Sequence, residues 1–381
     1  MRTGHLVLLA LLFAGCRSHR STVFGHLSGG ADATRTETHA LDLAAGARLE
    51  LSTPHGRVEA RAVAGSSPGL TATLRSSGRT AEEAAMVLQS YTLAIEQDHE
   101  VLRVALEGKP VRVSDPDARL FLGASVDYVV TVPEAVELTV QSQSGDIVVE
   151  GAFAACRLET RYGDITVLGV HGDVSALSGS GDVAVRDTTG NRVRVESGYG
   201  VLQLQNITAT DVHAESKSGD LTLASARADH IRLDTRYGAI AVHDAEGAVR
   251  ASSRSGTVEL SGVRGDIVAE SQYGRLAVEG VLTGLRARSS SGDVHVRALD
   301  GSTNTTDWDL SSGYGRVTLE VPAAFGCRLE ASTRYGDVEC AFPVTIDGGK
   351  RKNGALRGTV GAGGRVVAMS SGSGNVTLRQ L

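Results

Sequence analysis

The sequence predicts an all-β fold: a single-stranded β-solenoid (β-helix) of 18–19-residue coils, with a small helix-containing N-terminal insert. Three observations carry this expectation. A Ser-Gly or Tyr-Gly corner, often continued by Asp, places its glycine at 145, 163, 181, 200, 219, 238, 256, 274 and 292, then at 315, 336 and 374. Each corner opens an alternating apolar run, such as Ile147/Val149, Ile165/Val167 or Leu221/Leu223. The composition, 46 Gly against 7 Pro with 4% aromatics, suits a thin structure of many turns and a narrow interior.

Strict alternation over four to six residues argues half-buried strands. A fixed short period argues stacked units, none of which buries its apolar face alone. The rival is a propeller read from the paired super-period, but blades need about 40 residues and four strands. Each half-period here supplies only two.

Taken in order, residues 1–15 carry Arg2 and an apolar run from Leu6 to Phe13 that is too short to span a bilayer. The run ends in Leu12-Phe13-Ala14-Gly15-Cys16. This resembles a bacterial lipoprotein signal, which implies a lipidated Cys16 and attachment to a membrane through an N-terminal anchor; a plain secretory signal is the alternative. Arg17 stands where inner-membrane retention in enteric bacteria uses Asp, which favours the outer membrane. Residues 16–40 read as a flexible tether, rich in Ser, Thr, Gly, Ala and His without an apolar period.

Residues 41–135 read as an N-terminal coil interrupted by an α/β insert. Leu49 to Ala60 has the strand-turn-strand shape of a repeat around Gly56. Within the insert, Leu70 to Leu74 reads as a strand, and Thr80-Ala81-Glu82-Glu83 is a capping box opening a short helix. Tyr91 to Glu96 and Val101 to Leu106 read as a hairpin. A repeat stack exposes sheet edges that must be covered, so the insert is the candidate cap. The solenoid proper is assigned to 136–381. After Gly336 its rhythm loosens through Phe342-Pro343-Val344, a basic loop at 347–354 and a glycine cluster, before a last Ser373-Gly374-Asn375 unit. A strand follows that cluster, whereas phosphate cradles open onto helices.

Net charge is −6 with acidic and basic residues interspersed, which argues against nucleic acid as a partner. Beyond Cys16 the cysteines are Cys156, Cys327 and Cys340. Cys156 and Cys327 occupy positions that other repeats fill with Val or Ile, so they read as small buried hydrophobes; a Cys327–Cys340 disulfide is the alternative in an oxidising envelope. No Cys or His spacing calls for a metal, and no cofactor is expected.

Several columns invite a chemical reading. Asp146, Asp164, Asp182, Asp220, Asp293 and Asp337 follow the corner glycine and read as turn residues bonding their own backbone. A calcium ladder is the sharper alternative, but it is broken at 201, 239, 257, 275 and 316. The hydroxyl column from Thr160 and Ser178 to Ser312 reads as groups satisfying backbone amides. Tyr162, Tyr199, Tyr237, Tyr273, Tyr314 and Tyr335, with Arg161, Arg236 and Arg334 beside them, form either a binding strip for glycans or acidic polymers or the large half of a large-small packing pattern. Trp308, between Asp307 and Asp309, could mark a sugar subsite; an inward Trp replacing the usual Val is expected instead.

The Ser-Gly-Asp and Tyr-Gly-Asp strands, the Tyr128-to-Pro133 lead-in, the Phe342-Pro343-Val344 to Gly364 closing segment and the lipoprotein signal together resemble a bacterial family. It comprises β-strand-repeat envelope lipoproteins catalogued as adhesins without an assigned function. The resemblance covers roughly 45–381, implies a β-solenoid in the cell envelope, and supplies no catalytic residues. The expected function is therefore non-enzymatic: a lipid-anchored surface protein that binds a glycan or envelope protein, or acts as a scaffold. A polysaccharide lyase or hydrolase, or an envelope-signalling partner, are the alternatives. An enzyme would interrupt the repeat with long loops carrying clustered charges, whereas loops between 145 and 292 are uniformly short.

Overall fold

The computed structural model describes residues 13–14, 30–98, 100–114, 119–346 and 354–381. Cys16 and the basic stretch 347–353 lie outside the described residues. The chain divides into two compact units, 1–179 and 180–381, both formed from β-solenoid coils.

In the first unit, strand Arg48–His55 pairs in parallel with Glu137–Ser144, and that with Ala155–Tyr162, aligning Leu49 with Leu138 and Cys156. On the other side of the corner, Val58–Ala62 pairs with Ile147–Glu150, and that with Ile165–Leu168. Coil 48–62 thus docks directly on coil 137–150, and everything between is looped out. The insert and the first array coils thus share one core within the first unit.

The insert extends both faces. Val101–Gly108 lies parallel to Arg48–His55 and is covered by antiparallel Tyr91–Asp98, the expected hairpin. Ala124–Val132 runs parallel to Val58–Ala62 and then antiparallel to Gly69–Gly78. Helix Ala81–Gln89 starts as its capping box requires, with the Thr80 hydroxyl accepting the Glu83 N–H at 3.2 Å. It buries Ala84, Val87 and Leu88. Residues 31–40, assigned to the tether, instead form strand Ala31–Ala40, antiparallel to Gly69–Gly78. Ala33 is its buried apolar contact, so the sequence there shows no hydrophobic period, and main-chain pairing holds it.

In the second unit, partner residues lie 18 or 19 positions apart over most of the stack: Leu202 aligns with Leu221, then Ile240, Val258 and Leu276. Their side chains, with those two residues on, are fully buried. The opposite wall stacks Val212, Ile231, Val249, Ile267 and Leu285.

The C-terminal end departs from chain order. Strands Val366–Ser371 and Val376–Gln380 lie between coil 308–321 and coil 327–340: Leu310 pairs with Met369, and Met369 with Ala331. Val317 likewise pairs with Val376, and Val376 with Val338. The last coil in sequence is therefore next to last in space. Loop residues hold it there, since Asp307 Oδ1 accepts the Val366 N–H at 3.1 Å and Asn304 Nδ2 donates to the Arg365 carbonyl at 3.1 Å. Ala355–Val360 then covers the Cys327–Thr333 edge in antiparallel fashion. Trp308 is fully buried against Phe325, ring centroids 5.2 Å apart, so it is the inward Trp and not a sugar subsite.

The corner glycines are demanded by close approach. A Cβ on Gly200, Gly219, Gly238, Gly256, Gly274, Gly292 or Gly315 would overlap the carbonyl oxygen of the glycine one coil earlier. Gly256→Ala is accordingly expected to cost about 3 kcal/mol, the upper part of the usual range for forcing atoms into a packed site. Gly69→Ala, whose Cβ would meet only the His39 carbonyl oxygen at 3.8 Å, serves as the near-neutral control. Urea unfolding of the two variants beside the parent measures the difference.

Candidate binding face at the glycine corner

A hydroxyl and, at many corners, an aspartate act between coils, while at alternate corners a tyrosine faces solvent. The hydroxyl before the turn donates to the glycine carbonyl of the neighbouring coil: Ser197 to Gly181 at 2.9 Å, Ser253 to Gly238 at 2.9 Å, Ser289 to Gly274 at 3.1 Å, Ser312 to Gly292 at 2.8 Å. In the first unit, Thr160 and Ser178 do the same to Gly145 and Gly163. The sequence reading had these hydroxyls serving amides; their constant partner is the carbonyl, and in the Ser271 and Ser312 corners the oxygen also accepts a glycine N–H at 2.8 Å. A buried carbonyl left unpaired would cost about 1–3 kcal/mol, which explains why the column is Ser or Thr.

The aspartates also reach across. Asp146 Oδ1 accepts the Asp164 N–H, Asp182 that of Val201, Asp220 that of Ala239 and Asp293 that of Arg316, at 2.8–3.0 Å. They bond the next coil's backbone, not their own as the sequence suggested. The column is therefore occupied by backbone amides, and its gaps at Val201 and Ala239 are the positions that receive such a bond.

The tyrosines point outward. Tyr199, Tyr237, Tyr273, Tyr314 and Tyr335 are 63–74% exposed and Tyr162 is 57% exposed, so they do not fill the corner as packing would require. Arg161, Arg236 and Arg334 are exposed beside them. In the second unit the residue preceding the Tyr or Ser adds an exposed polar row, Lys217, Arg236, Arg254 and Gln272, with Arg254 Nε donating to Gln272 Oε1 at 3.2 Å. A shallow polar groove flanks this row, lined by Arg254, Glu270, Gln272, Arg288 and Ser290. Backbone hydrogen bonding on both sides of each corner fixes where every ring is presented.

Other candidate chemistry resolves into structure. Cys156, Cys327 and Cys340 carry unbridged thiols in this structure. Cys156 and Cys327 fill core positions, and burial pushes both thiols up to about 12, with Cys340 adding to the Cys327 shift. Glu196, His213 and Glu215 bring ligand atoms within 4.8 Å of one another, but Glu196 is already paired with Arg194 and His213 lies 3.8 Å from Glu215. Asp309, beside Trp308, is paired with Arg288.

Fold and face together define a class: a β-solenoid that displays a rigid, solvent-facing aromatic row. The chain belongs to the family described as Toastrack DUF4097, whose model matches residues 58–280 and again 173–379. No curated protein matches the chain. Among solved structures it is similar to a "putative adhesin" from Bacteroides fragilis, at 15% identity and TM-score 0.36, over 69% of this chain and 97% of that one. It is similar to a "putative adhesin" from Parabacteroides merdae at 11% identity and TM-score 0.35, over 71% and 94%. A "putative lipid binding protein" from Parabacteroides distasonis matches at 10% identity and TM-score 0.31, over 90% and 96%. No helix among the described residues is long and apolar enough to cross a membrane.

Outward tyrosines make a stability prediction. Tyr237→Ser and Tyr273→Ser should each shift the unfolding free energy by less than about 0.5 kcal/mol, as surface substitutions do. A loss of several kcal/mol in thermal or urea unfolding would mean that the rings pack the corner after all.

Proposed function

We propose that this is a non-enzymatic, lipid-anchored protein of the bacterial cell envelope, held at the outer membrane through Cys16, whose corner face binds an envelope polymer or partner. The observation that carries the reading is the exposed Tyr row with its Arg and Lys neighbours, fixed on a scaffold of hydrogen-bonded corners. Large rings with polar tips, held in place before binding, lose little conformational freedom when a ligand arrives, so their contact area converts efficiently into affinity. The alternative of a lyase or hydrolase loses its one candidate subsite with the burial of Trp308. The cysteine at the end of the N-terminal apolar run supports the anchor, since several acyl chains on one residue hold a protein stably where one chain alone is marginal.

Two measurements on the full-length protein test this together. The parent should fractionate with membranes and Cys16→Ser should not. The purified protein should be retained by envelope glycan preparations without shortening them. Polymer cleavage abolished by a point substitution would overturn the non-enzymatic reading.

A further inference from the structure

The corner row has a period that chain order conceals. In the second unit the residue before the corner glycine alternates Tyr199, Ser218, Tyr237, Ser255, Tyr273, Ser291, Tyr314. In sequence the next is Tyr335, which would place two rings on adjacent coils. In space it is not next: the intercalated C-terminal coil stacks Gly374 against Gly315, and Gly336 against Gly374. Ser373 therefore stands between Tyr314 and Tyr335, and the rings recur on every second coil throughout the unit. Coils are about 4.8 Å apart, so the rings are spaced by about 10 Å along the stack.

A regular two-coil spacing selects among ligands. An extended β-1,4-linked glycan turns each sugar over relative to the last, so it offers the same pyranose face only once per two sugars. The length of that two-sugar repeat matches the ring spacing. Its apolar C–H faces suit tyrosine rings, and its hydroxyls suit the Lys217, Arg236, Arg254 and Gln272 row. An extended peptide repeats its side-chain direction about every 7 Å and falls out of register within a few coils. The serines between the rings leave room for the inverted sugar.

Resting on the polymer-binding reading above, we propose that the face from Tyr199 to Tyr335 is a linear binding site for an extended β-1,4-linked glycan running along the stack, one disaccharide per tyrosine. The site engages its ligand repeat by repeat. Every second sugar meets a ring, so two sugars reach one ring, three or four reach two, five or six reach three, and seven or eight reach four.

The test is calorimetric titration of the full-length protein, in detergent, with chito-oligosaccharides of two to eight sugars. Affinity is expected to climb in steps, rising from two to three, from four to five and from six to seven sugars, and staying nearly flat from three to four, from five to six and from seven to eight. Tyr237→Ala and Tyr273→Ala should each weaken octasaccharide binding about fivefold, the scale of one aromatic contact. His243→Ala, an exposed residue away from the row, should leave it unchanged. Melting temperatures of all variants confirm that they fold. Retention by envelope glycan preparations that persists without oligosaccharide binding, or without sensitivity to the tyrosines, would overturn this site while leaving the polymer-binding reading intact. Failure to bind any glycan preparation would overturn both.

Discussion

The structure depends on one contact: the corner glycines lie against the glycine carbonyl of the neighbouring coil, and from Thr160 onward a Ser or Thr hydroxyl from the same coil bonds that carbonyl. Removing the side chain lets the backbones approach, and the hydroxyl satisfies the acceptor that the approach would bury. An aspartate takes up the amide on the far side of the turn. The strands on either side then have no freedom of register, and the Val, Leu and Ile columns stack as a consequence. Surface ion pairs between coils, such as Arg227–Glu246 and Arg297–Glu279, decorate this arrangement and add little to it.

The N-terminal end of the first unit and the C-terminal end of the second use the same contact. At the N-terminal side, a Cβ on Gly56 would overlap the carbonyl of Val126, and Asp127 Oδ1 accepts the Arg57 N–H at 2.9 Å. Val126 and Asp127 thus stand where another coil would place its glycine and aspartate, so the insert ends the stack by imitating a coil. Antiparallel strands then cover its edges. At the C-terminal side the chain doubles back, threads its last coil into the stack and covers the outer strand with Ala355–Val360. A solenoid edge is a template for further strands, and both devices remove it.

Much of this was legible in the chain. The period set the coil, the alternation set the inward residues, and a Thr-x-x-Glu sequence set the start of the helix. The inward Trp308 followed from the position it holds in the repeat. What was hidden has a common physical cause: a local pattern states which residues turn or pack, but not which partner meets them across coils. The hydroxyl and aspartate columns were therefore visible while their acceptors and donors were not. Strand 31–40 was missed because small polar residues paired through the backbone leave no hydrophobic signature. Coil order at the C-terminus was missed too, although the broken alternation from Tyr314 to Tyr335 was a signal of it. The outward turn of the tyrosines could not be read at all, since large-small alternation suits a packed corner and an exposed row equally.

The claim that corner contacts, and not chain order, decide which coils are neighbours is tested most directly by disulfide trapping. Ser311 and Ser370 are register partners, as are Ser370 and Ser332. Adjacent parallel strands put Cα atoms about 5 Å apart, within bridging range, while strands two coils apart are about 10 Å away and beyond it. The account predicts that Ser311→Cys with Ser370→Cys forms an intramolecular disulfide under mild oxidation, and that Ser311→Cys with Ser332→Cys does not. The opposite outcome, bridging of 311 with 332 and none with 370, would contradict it.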